Sequence, residues 1–237
     1  MCQKRGVKMD YTEKVKNFNE QKLKINSDWI KKGVFILDPN NTYIDEDVVI
    51  GEGCTIYPNV FLLKGSVIGS NVTILPNSYL SNAVIKDGTT IDSSKIVDSE
   101  VGENSVVGPM SHLRNHTCIK GEARIGNFVE FKNTNFDLGS KCAHLTYVGD
   151  SDVGKKVNFG CGVVTVNYDG KHKYRTTIKD GAFIGSNVNL IAPVTIGENA
   201  LLAAGSTINR DVEDGDMGIA RPRVEIKSGY GQKYKDK

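Results

Sequence analysis

The sequence predicts an all-β solenoid, a parallel β-helix of three-sided coils, preceded by a short helical segment. Three observations predict it. Aliphatic residues recur every six positions, turn-forming residues follow them at fixed offsets, and a period of six matches neither the 3.6 of an amphipathic helix nor the 2 of a long half-buried strand.

The register is plain in the residues. Ile44, Ile50, Ile56, Leu62, Ile68, Ile74 and Leu80 follow one another six apart. After short slips through Ile85, Ile91, Ile96 and Val101 the spacing resumes at Val107, Leu113, Ile119, Ile125 and Phe131, and again from Ile178 to Ile208 through Ile184, Leu190, Ile196 and Leu202. Each hexad supplies one large inward side chain. The residues after it bend easily: Gly51, Gly69, Gly185 and Gly197, Pro58 and Pro76, Asn59 and Asn77. Three hexads make a coil of eighteen residues, and successive coils pair strand on strand about 4.8 Å apart, stacking the aliphatics into a continuous core.

Three segments follow. Residues 1–34 form an N-terminal helical or flexible segment, in which Tyr11 to Lys32 reads as lysine-rich helix stopped by Gly33. Residues 35–215 are the solenoid, and residues 216–237 a basic tail. Two stretches interrupt the register, Asn133 to Val153 and Asn167 to Thr176, and insertions in repeat proteins map to loops, often on the binding face.

Bulk chemistry narrows the function. The formal net charge is +2 over 237 residues, so anion binding has to come from local clusters, and a nucleic-acid partner is not expected. Five cysteines, Cys2, Cys54, Cys118, Cys142 and Cys161, are scattered and odd in number without a CxxC pair, which disfavours a disulfide framework or a zinc knuckle. With no apolar leader and no long apolar run, the expectation is a cytoplasmic protein without a membrane partner.

Local clusters point to chemistry. Arg114 follows Leu113 and Lys132 follows Phe131, one coil apart, so both cations stack on one outer face. Two like charges about 5 Å apart repel by about 3 kcal/mol at an effective dielectric of about 20, less where they splay into water, and an anion between them removes that cost. A phosphate fits; the plain alternative is two solvated cations with Glu130 as partner. Lys171 to Arg175 forms a second cationic cluster, which is equally readable as an exposed loop. His144, immediately before apolar Leu145, should face outward, and an imidazole, with an ordinary pKa of about 6.5, suits a general base toward an amine. A lone surface histidine is the plainer reading. Ser186 and Ala204, eighteen apart, leave either a groove for an extended thiol arm or simply a tight corner.

Four strings then carry a resemblance: GNFVEFKN (126–133), KCAHLTYVGD (141–150), NFGCGVVTVNYDGKHKYRT (158–176) and APVTIGENALLAAGSTINRDV (192–212). They closely resemble the acetyltransferase domain of the bacterial bifunctional N-acetylglucosamine-1-phosphate uridyltransferase/glucosamine-1-phosphate N-acetyltransferase family. The likeness runs ungapped from about Leu113 to Arg221 and more weakly from about Gln21. It implies a left-handed β-helix and a homotrimer with active sites at subunit interfaces. It also implies His144 as catalytic base, with Arg114, Lys132, Tyr147, Asn158 and Lys173 holding the amino-sugar phosphate. Acetyl-CoA contacts would come from Cys161, Asn167, Tyr168, Ser186, Ala204 and Arg221, Cys161 standing where the family commonly has alanine. The family's nucleotidyltransferase half has no counterpart here, so neither uridyl transfer nor its magnesium is expected.

Rival readings stay open. The acceptor could be another amino sugar, such as galactosamine 1-phosphate or a nucleotide-linked one. Cys161 could be a covalent nucleophile. A metal-dependent protein resembling the γ-type carbonic anhydrases would need His112, His116, His144 and His172 to supply three converging ligands, although no metal is expected. A scaffold that has lost activity is the fourth.

Overall fold

The structure, a computed structural model, describes residues 11–235. Residues 1–10 of the N-terminal segment, with Cys2, and residues 236–237 of the tail lie outside the described residues.

Helix α1 runs Thr12–Lys31. Its apolar face, Val15, Phe18, Ile25 and Trp29 with Lys22 between, packs mainly through its second half: Ile25 and Trp29 sit against the core and Asn26 is fully buried, while Phe18 stacks on Tyr43. Asn26 Nδ2 donates to the Pro39 and Thr42 carbonyls at 2.8 and 3.0 Å, which docks the helix on the first coil. The helix stops at Gly33, whose φ of +89° is the left-handed C′ conformation that glycine reaches without strain.

From Phe35 onward every named strand pair is parallel. Three strand ladders run the length of the molecule and form its three faces. The first face begins Phe35–Ile36, Thr55–Ile56; the second Thr42–Ile44, Val60–Leu63; the third Val49–Ile50, Val67–Ile68. The product is a left-handed parallel β-helix with eleven strands in its first ladder. Every inward residue named from the register is buried, among them Ile56, Leu80, Leu113 and Ile196 at 0% exposure.

One expected interruption is absent. Asn133 to Val153 is not a loop but ordinary coil: Phe131 pairs with Val148, and Phe136 with Val153. These coils are one residue short of eighteen, and their inward positions are Phe136, Cys142, Val148, Val153 and Phe159, all buried. A one-residue slip at a corner moved the pattern without breaking it. The second interruption is a true loop. Val153 pairs with Ile178 across an enlarged coil, and residues 168–175 stand off the solenoid as a small antiparallel turn, Tyr168 bridging to Lys173.

Candidate active site

Two structures meet near one edge of the solenoid. The first is the corner between the first and second faces. Cys142 lies beside Phe159, Phe159 beside Ile184 and Ile184 beside Leu202, so the residues two places on, His144, Cys161, Ser186 and Ala204, stack in successive coils. Corner hydrogen bonds lock the column: Gly162 N to His144 O at 3.2 Å, Asn187 N to Cys161 O at 2.7 Å, Gly205 N to Ser186 O at 2.8 Å. Arg221 closes it, donating from Nη1 to Ala204 O at 2.7 Å. His144 is exposed, yet not because Leu145 points inward. Leu145 is itself 61% exposed with φ +46°, at a corner; the inward residue is Cys142. Beyond His144 the column holds only small side chains, a shelf that fits an extended thioester arm, with the Arg221 guanidinium at its end for a phosphate.

The second structure is a cationic cluster on the second face. Arg114 lies beside Lys132, and Lys132 beside Gly149. Each cation already has an acid. Arg114 Nε and Nη2 reach Glu130 Oε1 at 2.8 and 2.7 Å, and Lys132 Nζ reaches Asp150 Oδ2 at 3.3 Å with its side chain only 13% exposed. Bare repulsion between Arg114 and Lys132 is therefore not what calls for an anion. Lys173 supplies the unmatched charge: it contacts Lys132 and feels Arg114, so three cations face two carboxylates. Contact with Lys173, then the Asp150 carboxylate, holds the Lys132 ammonium above the usual lysine range against the opposing effect of burial. Lys173 is held below that range by the hydrogen bond and charge of Lys132. A dianion placed here would favour the protonated form of Lys173.

Tyr147 completes this face. Its ring lies across Gly149, where a Cβ would come within 2.3 Å of the phenol oxygen; only glycine leaves that space. The loop carrying Lys173 is fastened by Arg175, which forks onto Asp152 (Nε to Oδ2 2.8 Å, Nη2 to Oδ1 2.6 Å) and donates to the Asn133 and Ser151 carbonyls. At its root, Asn167 donates to Asp150 and its carbonyl accepts from Tyr174 N. Tyr168 is exposed, its hydroxyl donating to Gly170 O at 2.7 Å.

Not every anticipated residue gathers in one chain. Asn158 lies on the first face, beside Lys141 and Phe183, around the corner from Arg114 and Lys132. Two contributors, Gly149 and Asp150, escape sequence reading, while Glu130 is readable as a partner of the cations and Arg175 as part of the loop's cationic cluster. Asp150 had a signal, since it falls one coil beyond Asn133, next to Lys132, at the end of the quoted string KCAHLTYVGD. The four histidines do not converge. His112 is beside Glu130 on the second face, His116 has φ +61° at the next corner, His144 is on the first corner and His172 is in the loop. Among the described residues no group of three or more His, Cys, Asp or Glu is placed to hold a metal ion. Cys54, Cys118, Cys142 and Cys161 are free thiols, and no described helix is long and apolar enough to cross a membrane.

Known proteins resemble this chain in sequence. Residues 175–210 match the bacterial transferase hexapeptide family (six repeats), and residues 39–141 match the GMPPB C-terminal domain family. Over most of its length the chain is similar to proteins named GlmU. A bifunctional protein GlmU of Clostridioides difficile (strain 630) is 51% identical over 214 residues, which are 90% of this chain and 47% of the relative. The protein of that name from Exiguobacterium sibiricum is 49% identical over 205 residues, 86% of this chain and 46% of the relative. The chain thus spans about half the length of the curated relatives it matches. A solved UDP-N-acetylglucosamine acyltransferase from Arabidopsis aligns with a TM-score of 0.39 at 16% identity, over 78% of this chain and 69% of that one, a likeness too distant to bear on function.

Proposed function

We propose that the solenoid, residues 35–215 with the tail 216–237 closing its end, is an N-acetyltransferase that moves the acetyl group of acetyl-CoA to the amine of an amino-sugar 1-phosphate. The acceptor is glucosamine 1-phosphate, and the reaction serves the making of UDP-N-acetylglucosamine in the cytoplasm. One observation carries the reading: an exposed imidazole stands where a shelf of small side chains meets a face carrying an unmatched cation. The shelf suits a thioester arm, the cations a phosphate, and the imidazole lies between them.

Transfer is direct. The amine lone pair attacks the thioester carbonyl carbon and a C–N bond forms; His144 takes the proton that the nitrogen must lose; the C–S bond breaks, and the thiolate leaves with a proton as free CoA. Arg114, Lys132 and Lys173 hold the phosphate, Tyr147 borders the sugar, and Asn167, Tyr168, Cys161, Ser186, Ala204 and Arg221 take the CoA side. Oxyanion donors come from this last group and from corner N–H groups, each worth about 3 kcal/mol of barrier. No step calls for a metal.

Asn158 on a different face from Lys132 supports a homotrimer. A side-by-side neighbour presents its first face to the second face of this chain, completing a site that one chain splits around a corner.

The test is an acceptor comparison by thiol release from acetyl-CoA. Glucosamine 1-phosphate should exceed galactosamine 1-phosphate, UDP-glucosamine and free glucosamine by at least tenfold in kcat/KM. Preference for another amino sugar would reassign the acceptor, and no turnover with any of them would remove the enzymatic reading.

A further inference from the structure

We propose that Asp150 is a positioning residue for the acceptor phosphate: its carboxylate fixes the Lys132 ammonium among three crowded cations and, through Asn167, anchors the loop that brings Lys173 to them. This rests on the reading of the cluster as a phosphate site.

The placement argues for a role beyond the turn. Asp150 belongs to a corner column, Asn82, Asp98, Asn115, Asn133 and Asp150, all with left-handed φ between 47° and 55°. Asparagine fills three of those five places, so the bend itself needs only an Asx side chain, and the amide serves as well as the acid. What distinguishes Asp150 is its partners. Its side chain is 7% exposed and accepts from Lys132 Nζ at 3.3 Å, from Asn133 Nδ2 at 2.6 Å and from Asn167 Nδ2. Asp98, the other acid of the column, accepts from the Asn82 amide at 2.8 Å. The Asp150 backbone also grips both sides, its N–H donating to Lys132 O at 2.9 Å and its carbonyl accepting from Thr176 N at 3.1 Å.

A buried carboxylate is costly unless paired and hydrogen-bonded, and here it is both. Burial pushes its carboxyl up, but the two amides and the Lys132 ammonium outweigh that and hold it below the usual carboxylate range. It therefore stays ionised through neutral pH. The other charged or titratable groups about Lys132 are Lys173, Arg114, Tyr147 and Glu130, the last engaged by Arg114. Without the Asp150 charge, Glu130 alone opposes three cations, and one amine gives up its proton at lower pH.

The test uses the full chain, inorganic phosphate as probe, and pH 7.5 to 9.5. Wild type, Asp150→Asn, Lys132→Gln and the double variant are compared by calorimetry, and kcat/KM for glucosamine 1-phosphate is followed over the same range. In Asp150→Asn the alkaline fall in both readouts should move down by about one pH unit, making phosphate binding about tenfold weaker at pH 9. In the Lys132→Gln background the same change should cost clearly less than in wild type, because Lys132 is one of the two groups through which Asp150 acts and only the Asn167 anchor remains. An unshifted alkaline fall, or additive losses, would overturn the proposal while leaving the acetyltransferase reading standing. Wild type that neither binds phosphate nor turns over an amino-sugar phosphate would remove the reading and the proposal together. If Asp150→Asn does not fold, lysine Cε NMR titration of the native chain decides: Lys173 should lose its proton before Lys132, and coincident titration refutes the proposal.

Discussion

Gly149→Ala isolates the geometry of the acceptor face from its chemistry. A Cβ at Gly149 meets the Tyr147 hydroxyl at 2.3 Å and the ring at 2.6 and 2.8 Å, whereas an ordinary contact begins at 3.4 Å, so the phenol must retreat by about 1 Å. The backbone stays where it is: Gly149 N is held by Thr165 Oγ1 at 2.7 Å, its carbonyl accepts from Ser151 and Thr165, and its φ is not left-handed. Tyr147 is half-buried at the edge of the fold, so the stability cost should stay below about 1 kcal/mol, a shift of about 2–4 °C in Tm. Loss of the phenol's contact with bound substrate costs about 0.5–1.5 kcal/mol, a rise of about 2- to 13-fold in KM for glucosamine 1-phosphate. Steady-state kinetics on Gly149→Ala, Tyr147→Ala and the pair complete the cycle. With the tyrosine gone the new methyl has nothing to displace, so the double variant should match Tyr147→Ala within a factor of about two. Additive losses, or an unchanged KM in Gly149→Ala, would refute the placement of Tyr147 at the acceptor.

Three further outcomes follow from the geometry. Arg175→Lys should raise the acceptor KM about fivefold with little change in Tm, because the fork onto Asp152 is about 40% exposed and worth about 1 kcal/mol after screening; an unchanged KM would show that the loop does not need this fastening. Asp150 and Asp152 are both held below the usual carboxylate range, so the stability they confer is present above pH about 4, their unfolded value, and is lost as pH falls through their folded values. Thermal melts should be flat from pH 6 to about 4.5 and fall below that, with a shallower fall in Asp152→Asn; equal slopes would contradict the assignment. Cys161→Ala should keep turnover within a few-fold of wild type, and a loss beyond about a hundredfold would favour an acyl-cysteine route over direct transfer.

The fold was legible because the inward ladder is carried by Ile, Leu and Val at one spacing, a pattern only a three-sided coil satisfies. It failed at Asn133 to Val153 for a definite reason. There the ladder passes to Phe136, Cys142 and Phe159 with coils one residue shorter, and a reading tied to aliphatics six apart sees a gap where the core continues. Stacking of Arg114 on Lys132 and of Ser186 on Ala204 was readable from the eighteen-residue spacing alone. The Glu130 partner was readable too; what spacing hides is that Asp150 pairs with Lys132 and that the charge left over arrives on Lys173 from a loop whose path no periodicity describes. His144 was placed outward for the wrong reason, since at a left-handed corner two consecutive residues, His144 and Leu145, both reach solvent and strand alternation does not apply.

The central claim is that His144 removes the amine proton during acetyl transfer. Thiol release from acetyl-CoA with glucosamine 1-phosphate, measured for wild type and His144→Ala at pH 7.5, tests it most directly. The account predicts a fall in kcat of about 10²- to 10⁴-fold with both KM values within a few-fold of wild type. Undiminished kcat in the alanine variant would contradict it.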